Sequence, residues 1–131
     1  MTFSDIGLDN SLQKAIADLG FEEPTPIQSE SIPFLLAEEN DLIALAQTGT
    51  GKTAAFVLPI LDKLTKVKQT NKVKVIIVAP TRELAKQIDM EIEGFSYFTN
   101  SSSYPIYGGG TGPEFEKQKQ ALVKGTDIII C

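Results

Sequence analysis

The residues best suited to chemistry lie together at Ala46-Gln47-Thr48-Gly49-Thr50-Gly51-Lys52-Thr53. The run fits a glycine-rich pattern that cradles phosphates, with Ala46 in place of the usual first glycine. Gly49 and Gly51 let the main chain curl so that successive N–H groups aim at one anion. A helix beginning near Gly51 adds the positive end of its dipole. Lys52 can then neutralise β- and γ-phosphates, and Thr53 can offer its hydroxyl to Mg²⁺, which makes these two the candidate catalytic residues. The bland alternative is a strand-to-helix turn carrying a solvated lysine. Upstream runs Gly20-Phe21-Glu22-Glu23-Pro24-Thr25-Pro26-Ile27-Gln28. A phosphate loop does not choose a base, but a glutamine amide can pair with the N6 and N7 edge of adenine. Phe3 offers an aromatic face for the same base. A solvent-facing helix position for Gln28 and a core anchor for Phe3 are the competing readings.

The surrounding pattern supplies elements that could position these groups. Leu12, Ala15, Ile16 and Leu19 recur at helical spacing after Asp9 or Asn10, and Gly20 closes that helix. Thr25-Pro26 reads as an N-cap followed by a proline at the first helical position, which would place Gln28 on the first turn. Pro33 is expected to interrupt that helix and restart it. Residues 42–46 form a short apolar run, expected as a buried strand entering the phosphate loop. A helix follows over 54–64, with Phe56, Ile60 and Leu64 in register. Residues 63–74 form a lysine-rich loop, and 75–79 a second buried strand. A helix over 81–93 carries Leu84, Ile88 and Ile92 on one face. A short strand at 104–107, a glycine loop at 108–113, a polar helix over 114–123 and a strand beginning at 127 complete the chain. Nearly all-apolar strands alternating with helices imply βαβ units, a parallel sheet covered on both faces, and a three-layer α/β/α domain.

Composition narrows the chemistry further. The chain has 131 residues, one domain's worth, with 42% hydrophobic and 22% charged residues, enough to bury one core. Seventeen acids (Asp, Glu) against twelve bases (Lys, Arg) give a net charge of −5, so any nucleic-acid contact must be local. There is no histidine and one cysteine, which excludes histidine catalysis, an internal disulfide and cysteine-rich metal sites. The N-terminus lacks a secretory pattern and no apolar run is long enough for a membrane span, so a cytoplasmic location without a membrane partner is expected.

The string from Gly20 to Gln28 resembles the Q motif of DEAD-box ATP-dependent RNA helicases, and Ala46 to Thr53 resembles their motif I. Pro80-Thr81-Arg82-Glu83-Leu84-Ala85 is similar to their motif Ia, Gly108-Gly109 to their GG element, and Asp127 to Ile130 to the strand preceding motif Ib. The resemblance runs in order along essentially the whole chain. It implies a RecA-like first domain, with the Q motif within 1–28, that binds ATP and Mg²⁺ and couples hydrolysis to RNA duplex remodelling. It further implies that Phe3, Phe21 and Gln28 serve the adenine side. Thr48, Gly49, Thr50, Gly51, Lys52 and Thr53 serve the phosphates, with Thr53 on the metal. Pro80, Thr81, Arg82, Gly108 and Gly109 contact an RNA backbone without reading sequence.

The chain also departs from the family pattern. No Asp-Glu-Ala-Asp string occurs, so residues 1–131 are expected to be the N-terminal part of a truncated domain, with the remainder and a second domain absent. Such a piece should bind nucleotide far better than it hydrolyses it. An exposed sheet edge is expected to make the fragment associate. The loop after Gly109 is a few residues longer than the family norm, and Gln120 stands where many relatives carry a basic residue. A different P-loop NTPase and a non-catalytic nucleotide-dependent docking module are the alternatives.

Overall fold

A computed structural model describes residues 1–37 and 41–131. The chain divides into two compact units, one made of 1–67 with 94–100, the other of 68–93 with 101–131.

The first unit is helical. α1 (Phe3–Ile6) and α2 (Asn10–Asp18) are separated by Gly7, and the Asp9 carboxylate caps α2 by accepting from the Ser11 N–H at 2.9 Å. Leu12, Ala15 and Ile16 are buried as their spacing predicts, whereas Leu19 stays open. α3 (Pro26–Ala37) runs unbroken through Pro33, contrary to the expected interruption. The lost hydrogen bond is tolerated because the helix packs on α4 (Lys52–Thr65) and buries Ile32 fully. In α4 the buried residues include Ala54, Val57, Leu58, Leu61 and Asp62; of the expected line Leu64 is buried, whereas Phe56 and Ile60 are half-buried. Asp62 is an acid in an apolar stripe. Its carboxylate accepts from the Asp9 N–H at 2.7 Å and pairs with Lys66, so α4 anchors the entry to α2.

The second unit holds a parallel three-stranded sheet in the order β1-β3-β2, from β1 (Val75–Ile77), β2 (Ser103–Pro105) and β3 (Ile128–Ile130). The register pairs Val75 and Ser103 with Ile128. Central β3 buries Ile128 and Ile130 completely, and Pro105 sits on an edge strand, where a missing N–H is harmless. Asp127 fixes this register. Its buried carboxylate accepts from Lys74 Nζ at 2.7 Å and from the Ser102 N–H at 3.1 Å, one partner leading into each neighbouring strand. α5 (Arg82–Phe95) buries Ile88 and Ile92, and α6 (Gly112–Lys124) opens with a Thr111–Glu114 capping box.

Two strand expectations need correction. Residues 42–46 are not a strand: no strand pairs with them among the described residues, and Ile43 and Leu45 are each 90% exposed. An apolar run becomes a strand only when a neighbour completes its hydrogen bonds, and sequence periodicity carries no information about that neighbour. β1 is covered on one face only, since Ile77 is buried but Ile76 is 63% exposed. No helix among the described residues is long and apolar enough to cross a membrane.

Candidate nucleotide site and a second glycine loop

The phosphate loop is built by local conformation. Gly49 and Gly51 adopt φ of 78° and 79°, the left-handed region, and Gly51 directly precedes the first turn of α4. The loop closes on itself: Thr50 Oγ1 donates to the Gln47 carbonyl and Lys52 Nζ to the Ala46 carbonyl, both at 2.7 Å. The N–H groups of Gly49 to Thr53 find no backbone acceptor among the described residues, and the first turn of α4 carries no acid. Free amides at a helix start, beside a lysine amine, suit an anion with several oxygens. Thr53 is half-buried on the first turn, and Thr48 is exposed.

The upstream helix start is fastened to this loop. Thr25 and Gln28 have capping-box spacing, and Gln28 Oε1 accepts from the Thr25 N–H at 3.0 Å. The other half of the box is diverted: Thr25 Oγ1 donates to the Thr50 carbonyl at 2.8 Å. Gln28 Nε2 donates to the Gly51 carbonyl at 3.1 Å, and the residue is 2% exposed. A Cβ on Gly51 would fall within the contact radius of that same Nε2 and 3.2 Å from Gln28 Cδ. Gln28 is therefore neither solvent-facing nor directed away from the loop. Phe3 is buried, at 6% exposure, as a core anchor of the first unit. Phe21 is half-exposed, its ring 5.8 Å from that of Phe95.

The second unit carries another glycine loop. Arg82 Nη2 donates to the Gly108 carbonyl at 2.7 Å, and a Cβ on Gly109 (φ 75°) would stand 2.8 Å from that nitrogen. Pro80, Thr81, Arg82, Gly108 and Gly109 are all exposed. Thr81 Oγ1 accepts from the Leu84 N–H at 3.1 Å, capping α5 while keeping its own O–H to donate. Glu114 is held below the usual carboxylate range, chiefly by the Thr111 N–H and also by nearby Lys86 and Arg82. Gln120 lies exposed on α6.

The sequence pattern of the DEAD/DEAH box helicase family matches residues 25–131. The chain belongs to the DEAD/DEAH box helicase family. It is 46% identical over 129 residues to a DEAD-box ATP-dependent RNA helicase CshA of Bacillus cereus, covering 98% of this chain and 23% of that protein. The CshA of Bacillus subtilis is 42% identical over 130 residues, covering 99% of this chain and 25% of the relative. Among solved structures, the RNA helicase Prp28 of Chaetomium thermophilum bound to ADP is 39% identical with a TM-score of 0.86, covering 98% of this chain and 31% of that one. A DEAD box protein of Methanococcus jannaschii is 38% identical with a TM-score of 0.87, covering 98% and 34%. The chain thus spans about a quarter of the length of these CshA relatives. The fold is the α/β, RecA-like type of DEAD-box helicases.

Sequence patterning anticipated the left-handed glycines of the loop and the helix start beside them. It missed the Thr25–Thr50 and Gln28–Gly51 links, which join residues distant in sequence. It also gave no role to Lys86, Tyr107 or Gln118, whose contacts beside the second glycine loop only the folded chain reveals.

Proposed function

We propose that this chain is the nucleotide-binding portion of an ATP-dependent RNA helicase. It would hold Mg²⁺–ATP on residues 49–53 and an RNA backbone on Pro80, Thr81, Arg82, Gly108 and Gly109. The observation that carries the nucleotide reading is the Gln28–Gly51 link. A glutamine amide has four hydrogen-bonding positions, and Thr25 and Gly51 occupy one acceptor and one donor. The remaining lone pair and N–H match the N6 donor and N7 acceptor of adenine, whereas guanine presents two acceptors on the same edge. The residue that would choose the base is thus fastened to the loop that would hold the phosphates. Base choice and phosphate grip become one mechanical unit.

Mg²⁺–ATP, when bound, supplies the phosphoryl group whose transfer to water drives the cycle. The work of this chain is to orient it: Lys52 offsets phosphate charge, Thr53 gives a hydroxyl to the metal, and the free amides fix the phosphate oxygens. The RNA reading rests on Arg82, which has no carboxylate within salt-bridge distance among the described residues, and on the spare Thr81 hydroxyl. Neither group reads a base edge, so the contact is sequence-independent. The open apolar run at 42–46 would make the isolated chain self-associate, and a monodisperse monomer in solution scattering would remove that expectation.

Calorimetric titration with ADP and with GDP tests the reading. ADP should bind more tightly, the preference should shrink in Gln28→Ala, and both affinities should fall at least tenfold in Lys52→Ala. Equal affinity for the two bases in the unsubstituted protein would overturn the adenine assignment.

A further inference from the structure

Beside the second glycine loop, two cations share one aromatic ring. The guanidinium carbon of Arg82 and the amine of Lys86 each lie 5.1 Å from the centroid of Tyr107. They are four residues apart on α5, so they stand one above the other along a single helix face, about 6 Å apart in rise. Two like charges this close repel, and the negative face of the ring offsets the cost. Among the described residues neither cation has a carboxylate within salt-bridge distance. Glu114 is the acid that feels both, and its carboxylate is engaged by the Thr111 N–H at 2.7 Å. In a chain of net charge −5, a pair of exposed cations with no direct ion-pair partner among the described residues is a local anion-seeking surface.

The platform is itself held in place. The Tyr107 N–H donates to Gln118 Oε1 at 3.1 Å, and Gln118 is the buried residue of α6. Arg82 is fixed at a second point by the Gly108 carbonyl. Three elements thus converge to hold two cations side by side: α5 supplies them, the strand-to-loop segment supplies the ring, and α6 locks that segment. Side chains this long are costly to order, and a pre-set geometry lowers the cost of binding.

We infer that Arg82 and Lys86, clamped on the Tyr107 ring, form a two-pronged contact to phosphates of a single RNA strand, with Tyr107 and Gln118 as positioning residues. This rests on the RNA reading above and extends it to Lys86, Tyr107 and Gln118. Lys86 is a phosphate ligand one helical turn beyond Arg82, and Tyr107 serves as a ring without needing its hydroxyl.

The test is fluorescence anisotropy of a labelled single-stranded oligouridylate against the full-length protein over a salt series, with ADP affinity as the check on folding. Lys86→Gln should weaken RNA binding about three- to tenfold near 0.1 M salt and flatten the log K against log salt slope by about 0.7, one phosphate contact. Tyr107→Leu should weaken binding at least as much, Gln118→Leu less, and Tyr107→Phe should match the unsubstituted protein. The inference is overturned if Arg82→Gln weakens RNA binding while Lys86→Gln and Tyr107→Leu leave affinity and slope unchanged. In that case the RNA reading survives without it. If the unsubstituted protein binds no RNA, both fall together.

Discussion

The phosphate loop and the second glycine loop are tied down in the same way, by a side chain that donates to a glycine carbonyl. Gln28 does this for Gly51 and Arg82 for Gly108. In each loop a glycine with positive φ leaves room for that side chain, since a Cβ on Gly51 or Gly109 would collide with the donor. The difference lies in charge and burial. Gln28 is neutral and buried, and both ends of its amide are engaged; Arg82 is charged and exposed. The first arrangement gives a rigid seat that holds one shape. The second holds a cation in place while leaving it open to solvent. Burial therefore separates a link that only fixes the shape of its loop from a link whose donor stays open to solvent.

Substituting the two glycines tests this most severely. Gly51→Ala forces a left-handed φ on alanine and drives a methyl into a buried amide that has nowhere to go. A destabilisation of about 2–3 kcal/mol in urea unfolding is expected, with loss of ADP binding. Gly109→Ala meets only the end of a flexible exposed side chain, so about 1 kcal/mol from the backbone is expected and ADP binding should persist. Equal losses from the two would mean that burial is not what distinguishes the loops.

Removing the donors instead of the glycines should give a smaller effect of the same sign. Gln28→Ala leaves the Gly51 carbonyl and the Thr25 N–H without their partner, which costs about 1–3 kcal/mol. Arg82→Gln exposes nothing that water cannot satisfy and should stay within about 0.5 kcal/mol. Thermal melts of the two variants, run side by side, would expose the contrast or its absence.

Legibility from sequence followed the range of the forces involved. The turn through Gly49 and Gly51 and the start of α4 could be read because glycine conformation and a helix start are decided within a few residues. α2 and α5 could be read because one face of each helix repeats, with Leu12, Ile16, Ile88 and Ile92 buried as expected. Residues 42–46 could not be placed, because a strand is a property of a pair and the run shows only its own half. Gln28 looked like a surface glutamine or a base reader, and its bond to a residue 23 positions away lies outside any local pattern. Asp62 and Asp127 were likewise invisible as anchors. The one hint was an acid lying within an apolar helical stripe, or at the entrance to an apolar strand.

The smallest expected effect is also the most selective. The segment after the second glycine loop is closed by a charge: the Glu114 carboxylate accepts from the Thr111 N–H, and that bond, before any other cause, holds its pKa down. A carboxyl with a lowered folded-state pKa contributes stability above its unfolded pKa, near 4.3, and loses it as pH falls through the folded value. The Gln28–Thr25 bond contains no titratable group. Below about pH 4 the Thr111 amide should therefore exchange faster relative to its intrinsic rate, while the Thr25 amide keeps its protection. Global melting would blur this. Asp5 and Asp9 are lowered through bonds to Thr2 and Ser11, whereas burial raises Glu91, so that protonating Glu91 favours the fold. Residue-resolved hydrogen exchange between pH 3 and pH 6 separates them. Parallel loss of protection at Thr25 and Thr111 would show that the two loops do not differ in the way their bonding implies.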